Sequence, residues 1–269
     1  MKLICPLWML SCVVWVSADV CIPEGCRRYE TAGAESTLAL ETANPYCVPP
    51  EKLASAQATC GVNQVMINTP KDERGDGEFG HACVPGREKE FKYSFEQSLV
   101  YAVTLRSSYI HIMSGCIPPG SNESECRKTY VSNLKSAASA LSKLGMQGLI
   151  EPINSYSIPN YYMNCYDKAI SVINSVGSQN IGLLLDIYHL QTIQGNLTRS
   201  IADYLPYTKH IQISQVPGRH EPNSPGELNY GYVMAVLQLV RYQGWIGLEY
   251  HPAKGTEEGL KWVQECCPT

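Results

Sequence analysis

In the second half of the chain four apolar runs each stop at a polar residue able to bind a metal: Leu-Ile-Glu151, Leu-Leu-Leu-Asp186, His-Ile-Gln212 and Ile-Gly-Leu-Glu249. The intervals are 35, 26 and 37 residues, each enough for one strand, one loop and one helix, so each residue can end a successive strand of a parallel sheet. Parallel strands point the same way, and their last residues meet at one face. The pattern predicts a metal site at one end of a parallel barrel.

Upstream, short apolar strands alternate with amphipathic helices, as in repeated strand-helix units. Strands are predicted over 37–41, 64–68, 109–113, 148–151, 181–186, 210–215 and 246–250, and helices over 51–59, 88–105, 128–144, 166–176, 201–204, 230–242 and 257–265. A (β/α)8 barrel uses about 250 residues as one domain, which suits a chain of 269. Seven strands are then in hand. The eighth has to come from residues 1–18, because 19–36 hold no second apolar run. The expected division is a divergent leader over 1–36 and a barrel domain over 37–269, an α/β fold whose first strand departs from the others.

The leader reads in two ways. Lys2, the apolar stretch 3–16 and then Val16-Ser17-Ala18 have the shape of a secretory signal with a small-residue cleavage site. A fully buried parallel strand is also a continuous apolar run, and cleavage would leave the barrel open, with unpaired backbone at its edges. Twelve cysteines favour an oxidising compartment. Cys21 with Cys26, and Cys116 with Cys126 across a Pro/Gly/Ser loop, are spaced for local bridges, free thiols being the alternative. Asn122-Glu-Ser124 and Asn196-Leu-Thr198 are glycosylation triplets.

No apolar stretch reaches the ~20 residues that span a bilayer, so no membrane anchor is expected. Net charge is −4, with 21 Lys+Arg against 25 Asp+Glu and no basic cluster. Nucleic acid is therefore excluded as a partner on charge. A barrel that repairs nucleic acid would also want more metal-binding histidines.

Two carboxylates on opposite sides of a bound divalent cation can move a proton between adjacent carbons, because the cation polarises the carbonyl and hydroxyl oxygens while one carboxylate abstracts the proton. Glu151 and Glu249 are placed for that work at the ends of strands five and eight, with Asp186 and Gln212 between them as further oxygen ligands. Hard oxygen donors suit magnesium or manganese. A strand-terminal carboxylate taken alone is more often a helix cap or an ion-pair partner; four in consecutive units shift the balance to function. His189, three residues after Asp186, and Arg219, in the loop after the Gln212 strand, suit a small anionic substrate, Arg219 as a bidentate clamp for a carboxylate. His111 and His251 are weaker candidates, and His81 and His210 read as structural.

Several of these segments resemble the hydroxypyruvate isomerase family: Gly148-Leu-Ile-Glu151-Pro-Ile-Asn154, Asp186-Ile-Tyr-His189, Gln194-Gly-Asn196-Leu-Thr198, Gln212-Ile-Ser-Gln-Val-Pro-Gly-Arg219-His-Glu-Pro222, Gly226-Glu-Leu-Asn229-Tyr230 and Gly244-Trp-Ile-Gly-Leu-Glu249-Tyr. Ile67-Asn68-Thr69-Pro70 and Val84-Pro-Gly-Arg87-Glu88 extend the match upstream, so that it runs from about residue 39 to 263. The resemblance implies a TIM barrel of the xylose-isomerase-like superfamily that interconverts hydroxypyruvate and tartronate semialdehyde. It implies Glu151 and Glu249 as the proton-transfer pair that also touches the metal, Asp186 and Gln212 as the remaining ligands, and His189 and Arg219 as substrate contacts. It also implies a cytoplasmic enzyme, against the secretory look of the leader, and leaves room for a homo-oligomer. The competing readings are an isomerase or epimerase of another short keto acid or ketose, and a secreted barrel without catalysis.

Overall fold

The computed structural model describes residues 12–16, 39–71 and 79–262. Eight parallel strands close a barrel in chain order: β1 (Cys12–Val16), β2 (Ala39–Thr42), β3 (Asn63–Asn68), β4 (Tyr109–His111), β5 (Gln147–Ile150), β6 (Ile181–Asp186), β7 (Thr208–Ile213) and β8 (Ile246–Leu248). Helices α1 (Pro50–Cys60), α2 (Glu88–Leu105), α3 (Glu123–Leu144), α4 (Tyr166–Val176), α5 (Ile187–Ile193), α6 (Leu197–Tyr204) and α7 (Tyr230–Leu239) lie between successive strands from β2 on, and α8 (Thr256–Gly259) follows β8. The first strand does lie within residues 1–18: β1 pairs in parallel with β2, Val13 opposite Ala39, and with β8, Cys12 opposite Ile246. The cleavage motif beyond Val16, the Cys21/Cys26 pair and the leader boundary at residue 36 lie outside the described residues. Among the described residues, no helix is long and apolar enough to cross a membrane.

Strand periodicity sorts the interior into two layers. Residues two apart on a strand share a face, and on four strands an apolar or aromatic residue is followed two positions later by a polar one: Ala39 and Glu41, Tyr109 and His111, Leu149 and Glu151, Leu184 and Asp186. Ala39, Leu149 and Leu184 pack together with Val65 and Met66 as a small core, against which Tyr109 and Trp245 lie. The outward faces build the larger core with the helices, where Ile110, Leu134, Leu141, Ile150, Tyr166, Leu183 and Ile211 are fully buried. An apolar floor thus carries a polar roof at the C-terminal ends of the strands, the end at which barrels of this kind hold their chemistry.

Helices α3 and α5 depart from expectation, and the Cys116/Cys126 pair takes the free-thiol alternative. Helix α3 begins at Glu123, five residues earlier than predicted. Asn122 caps it, its side chain accepting from the Glu125 backbone N–H at 2.9 Å in a capping box, so the amide of the first glycosylation triplet is committed to the helix end. The seven-residue α5 was not predicted; it starts on Asp186 itself, whose Oδ1 accepts from the Tyr188 N–H at 2.8 Å. Cys116 and Cys126 are both thiols. Cys126 is buried within α3 and hydrogen-bonded with the Cys83 thiol, while the Cys116 thiol faces the Pro159 carbonyl oxygen at 3.7 Å.

Candidate active site

The roof of the barrel gathers four carboxylates. Glu151 and Glu249 stand one residue beyond β5 and β8, Asp186 ends β6, and Glu41 lies in β2. Glu41, Glu151 and Asp186 are buried, and the Glu249 side chain is 20% exposed. Arg219 reaches in from the loop after β7. Its Nη2 donates to Asp186 Oδ2 at 3.0 Å and pairs with Glu249 Oε2 at 2.9 Å, and its guanidinium stacks on the Tyr188 ring at 4.8 Å. Arg219 holds φ +52, a left-handed backbone rare for a residue with a side chain. The Gln215 amide secures this loop, accepting from the Val216 and Leu228 N–H groups and donating to the carbonyls of Pro222, Ser224 and Leu228.

His189 packs between Glu151 and Asp186, its Nε2 3.6 Å from Glu151 Oε1 and 3.6 Å from Asp186 Oδ2. One ligand atom from each of Glu151, Asp186 and His189 falls within 4.8 Å of the others. His111, at the end of β4, stands 3.5 Å from Glu151 Oε2. Gln212 enters the roof from β7, opposite Asp186 in register, and its Nε2 donates to Glu41 Oε2 at 2.6 Å. His210 lies two residues earlier on the same strand and donates from Nε2 to Glu41 Oε1 at 2.5 Å.

Burial and mutual repulsion set the charge states. Burial, and then the Glu249 and Asp186 charges, hold Glu151 well above the ordinary carboxylate range. Burial pushes Asp186 up to about 6 despite Arg219, and Glu249 up to about 8. Burial pushes His111 down to about 3 and His189 well below its usual value, so both are neutral at pH 7. Glu41 adds a negative field to Glu151, Asp186 and Glu249. One guanidinium cannot neutralise four acids. Glu151 Oε1 and Gln212 Oε1 are buried and have no hydrogen-bond donor, which is costly for polar oxygens unless something else meets them. A hard-oxygen set whose carboxyls are held above their ordinary range for want of positive charge, with two orphaned oxygens, fits a divalent cation.

The structure thus brings Glu151, Asp186, Glu249, His189 and Arg219 into contact, as the sequence predicts, and places Gln212 on the same face. It also places there His111, a weaker candidate in the sequence, and Glu41, which was not among the candidates. Glu41 carried the same signal as the others, since it ends the predicted strand 37–41, but it lies in the half of the chain where the pattern is least regular. His251 contributes backbone only: its N–H donates to the Arg219 carbonyl and its carbonyl accepts from His220 Nδ1.

A family model described as a xylose isomerase-like TIM barrel matches residues 30–266. The chain belongs to that family. A Danio rerio protein provisionally named a hydroxypyruvate isomerase is 40% identical over 97% of this chain and 95% of its own length. A Cupriavidus necator 2-oxo-tetronate isomerase is 37% identical over 88% of this chain and 91% of its own. Among solved structures, a Brucella melitensis protein described as an AP endonuclease of family 2 superposes with a TM-score of 0.81 at 36% identity, over 84% of this chain and 87% of that one.

Proposed function

We propose that the protein is an isomerase of small keto acids that interconverts hydroxypyruvate and 2-hydroxy-3-oxopropanoate (tartronate semialdehyde), with Glu151 and Glu249 as the proton-transfer pair. The observation that carries this reading is two glutamates, Glu151 buried and Glu249 half-buried, both raised above the ordinary carboxylate range, just beyond β5 and β8 with Asp186, His189 and Arg219 between them. Isomerisation needs a base and an acid of similar strength, because the group that takes a proton from one carbon must be able to return one to the next. A pKa near the working pH serves both halves of the transfer, and Glu249, at about 8, has it.

Glu151, Asp186, Gln212 and Glu249 would hold the cation, magnesium or manganese on the hardness of their oxygens. Bound there, it would polarise the substrate carbonyl and offset negative charge developing on the substrate oxygens. With Nη2 on Asp186 and Glu249, Nε on the Glu249 carbonyl and one Nη1–H beside His189, Arg219 keeps its second Nη1–H for the substrate carboxylate, and the Tyr188 ring fixes its plane. His189 meets a donor at each ring nitrogen, the Asn154 backbone N–H 3.2 Å from Nδ1 and Arg219 Nη1 3.2 Å from Nε2, which orients the imidazole beside the carboxylates. One glutamate removes a hydroxymethyl C–H proton, an enediolate forms, the hydroxyl proton passes to the former carbonyl oxygen, and a glutamate protonates the carbon that bears it to give the aldehyde.

Relatives named for hydroxypyruvate and for 2-oxo-tetronate stand at similar identity, so the assay takes both substrates. Turnover is followed with each, in wild type and in Glu151→Gln and Glu249→Gln. Loss of a general acid-base group lowers turnover by about 100-fold or more, and both variants are expected to show it. Near-wild-type activity in either variant refutes the proton-transfer assignment, and turnover of 2-oxo-tetronate alone moves the substrate to the longer acid.

A further inference from the structure

We propose that Glu41 is a positioning residue that fixes which way the Gln212 amide points, holding its oxygen toward the carboxylate cluster; this rests on reading Gln212 as a cation ligand. A glutamine side chain presents an oxygen or an NH2 group from nearly the same shape, so a half-turn converts an acceptor into a donor. Only the oxygen can bind a cation, and the ambiguity has to be removed by a neighbour.

Glu41 removes it. An ionised carboxylate only accepts, and Glu41 Oε2 takes the Gln212 Nε2–H at 2.6 Å. Its other oxygen is held by His210 Nε2 at 2.5 Å, so the carboxylate is anchored at both ends. Register gives the direction. Gln212 lies opposite Gly247 of β8 on one side and Asp186 of β6 on the other. Glu41 arrives from β2, across β1 and β8 in the barrel order, and draws the NH2 group to that side. The amide oxygen therefore faces the Asp186 side, where it is buried without a hydrogen-bond donor.

The approach exists because residue 247 is glycine. A Cβ there would collide with Glu41 Oε1 and stand 3.0 Å from Gln212 Cγ, closing the path by which the carboxylate crosses β8. Gly247 has no left-handed backbone to explain it. The opening beside Gln212 explains it.

The experiment is Mn2+ titration of the full chain after chelator treatment, by calorimetry, on wild type, Glu41→Gln, Gln212→Ala and the double variant. Outer-shell partners of metal ligands typically contribute 10–100-fold in affinity, and Glu41→Gln is expected to weaken Mn2+ by about tenfold or more. If Glu41 acts through Gln212, the double variant binds no more weakly than Gln212→Ala alone. Wild-type affinity in Glu41→Gln overturns the proposal. So does an equal further loss in the double variant, which would mean that Glu41 acts only through its charge.

Should Glu41→Gln fail to fold, Glu41→Asp keeps the charge and withdraws the carboxylate by one methylene. It is expected to weaken Mn2+ likewise, and unchanged affinity overturns the proposal. A wild type that turns over substrate without binding Mn2+ overturns this inference and the ligand role of Gln212 but leaves the isomerase. The coupling without turnover leaves the inference and removes the isomerase.

Discussion

Replacing Asp186 by Asn tests whether the site is held in an electrostatically unfavourable state when no cation is bound. Asp186 is fully buried, and its pKa rises from 3.8 to about 6 even with Arg219 3.0 Å away. Each pKa unit corresponds to about 1.4 kcal/mol, so at pH 8 the ionised carboxylate lowers folding stability by about 3 kcal/mol relative to its neutral form. A folded-state pKa above the unfolded one means that the folded protein takes up the proton first. The penalty is full above pH 6, shrinks as pH falls from 6 towards 4, and vanishes below the unfolded value.

Asn is neutral throughout and keeps the oxygen that caps Tyr188, so Asp186→Asn should stabilise the chelator-treated protein at pH 8. The conversion for a chain of this size is about 2–4 °C per kcal/mol. Melting temperature should therefore rise by about 6–12 °C at pH 8, with the two proteins converging near pH 4. The same variant should lose turnover. A lower melting temperature at pH 8 would mean that the Asp186–Arg219 pair stabilises the fold outright, and the argument from surplus negative charge would fall.

Arg219→Lys keeps the charge but loses the planar fork and the Tyr188 stacking, and kcat/KM should drop by about tenfold or more with the melting curve little changed; unaltered kinetics would remove Arg219 from the substrate site. Deleting residues 1–18 removes a strand with two partners and should abolish cooperative thermal unfolding, and a truncated protein that melts cooperatively and turns over would show that the leader is dispensable. Asn122→Ala should lower stability by about 1 kcal/mol through loss of the cap, with kcat unchanged, since α3 starts far from Glu151 in sequence and outside the cluster.

Much of the site was legible because a parallel barrel turns a one-dimensional pattern into a shared face: residues that end successive apolar runs need no further information to meet. Glu151, Asp186 and Glu249 came through for that reason, and β1 came through because only residues 1–18 had an apolar run to spare. The misses have equally physical causes. Helix α5 has seven residues and starts on a site residue, too short for a periodicity and without a separate cap to announce it. Glu41 showed the right residue at the right place, but its role depends on a bond across 171 positions to Gln212, which no local pattern encodes. His210 reads as a core histidine in sequence and is one in burial, yet it holds the carboxylate that holds the amide. Asp186 is a helix cap and an ion-pair partner at once, since one oxygen accepts from the Tyr188 N–H and the other meets Arg219.

The strand that closes this barrel has a consequence for how the protein is made. Because β1 hydrogen-bonds to β8 as well as to β2, the first strand to leave the ribosome waits for the last before its second edge is covered. Throughout synthesis the nascent sheet therefore offers an unpaired edge at each end, the feature that invites pairing with other chains. The floor beneath the active site can seal only once β8 has emerged, and the carboxylate cluster, which draws on β2, β5, β6 and β8, is assembled in that same step.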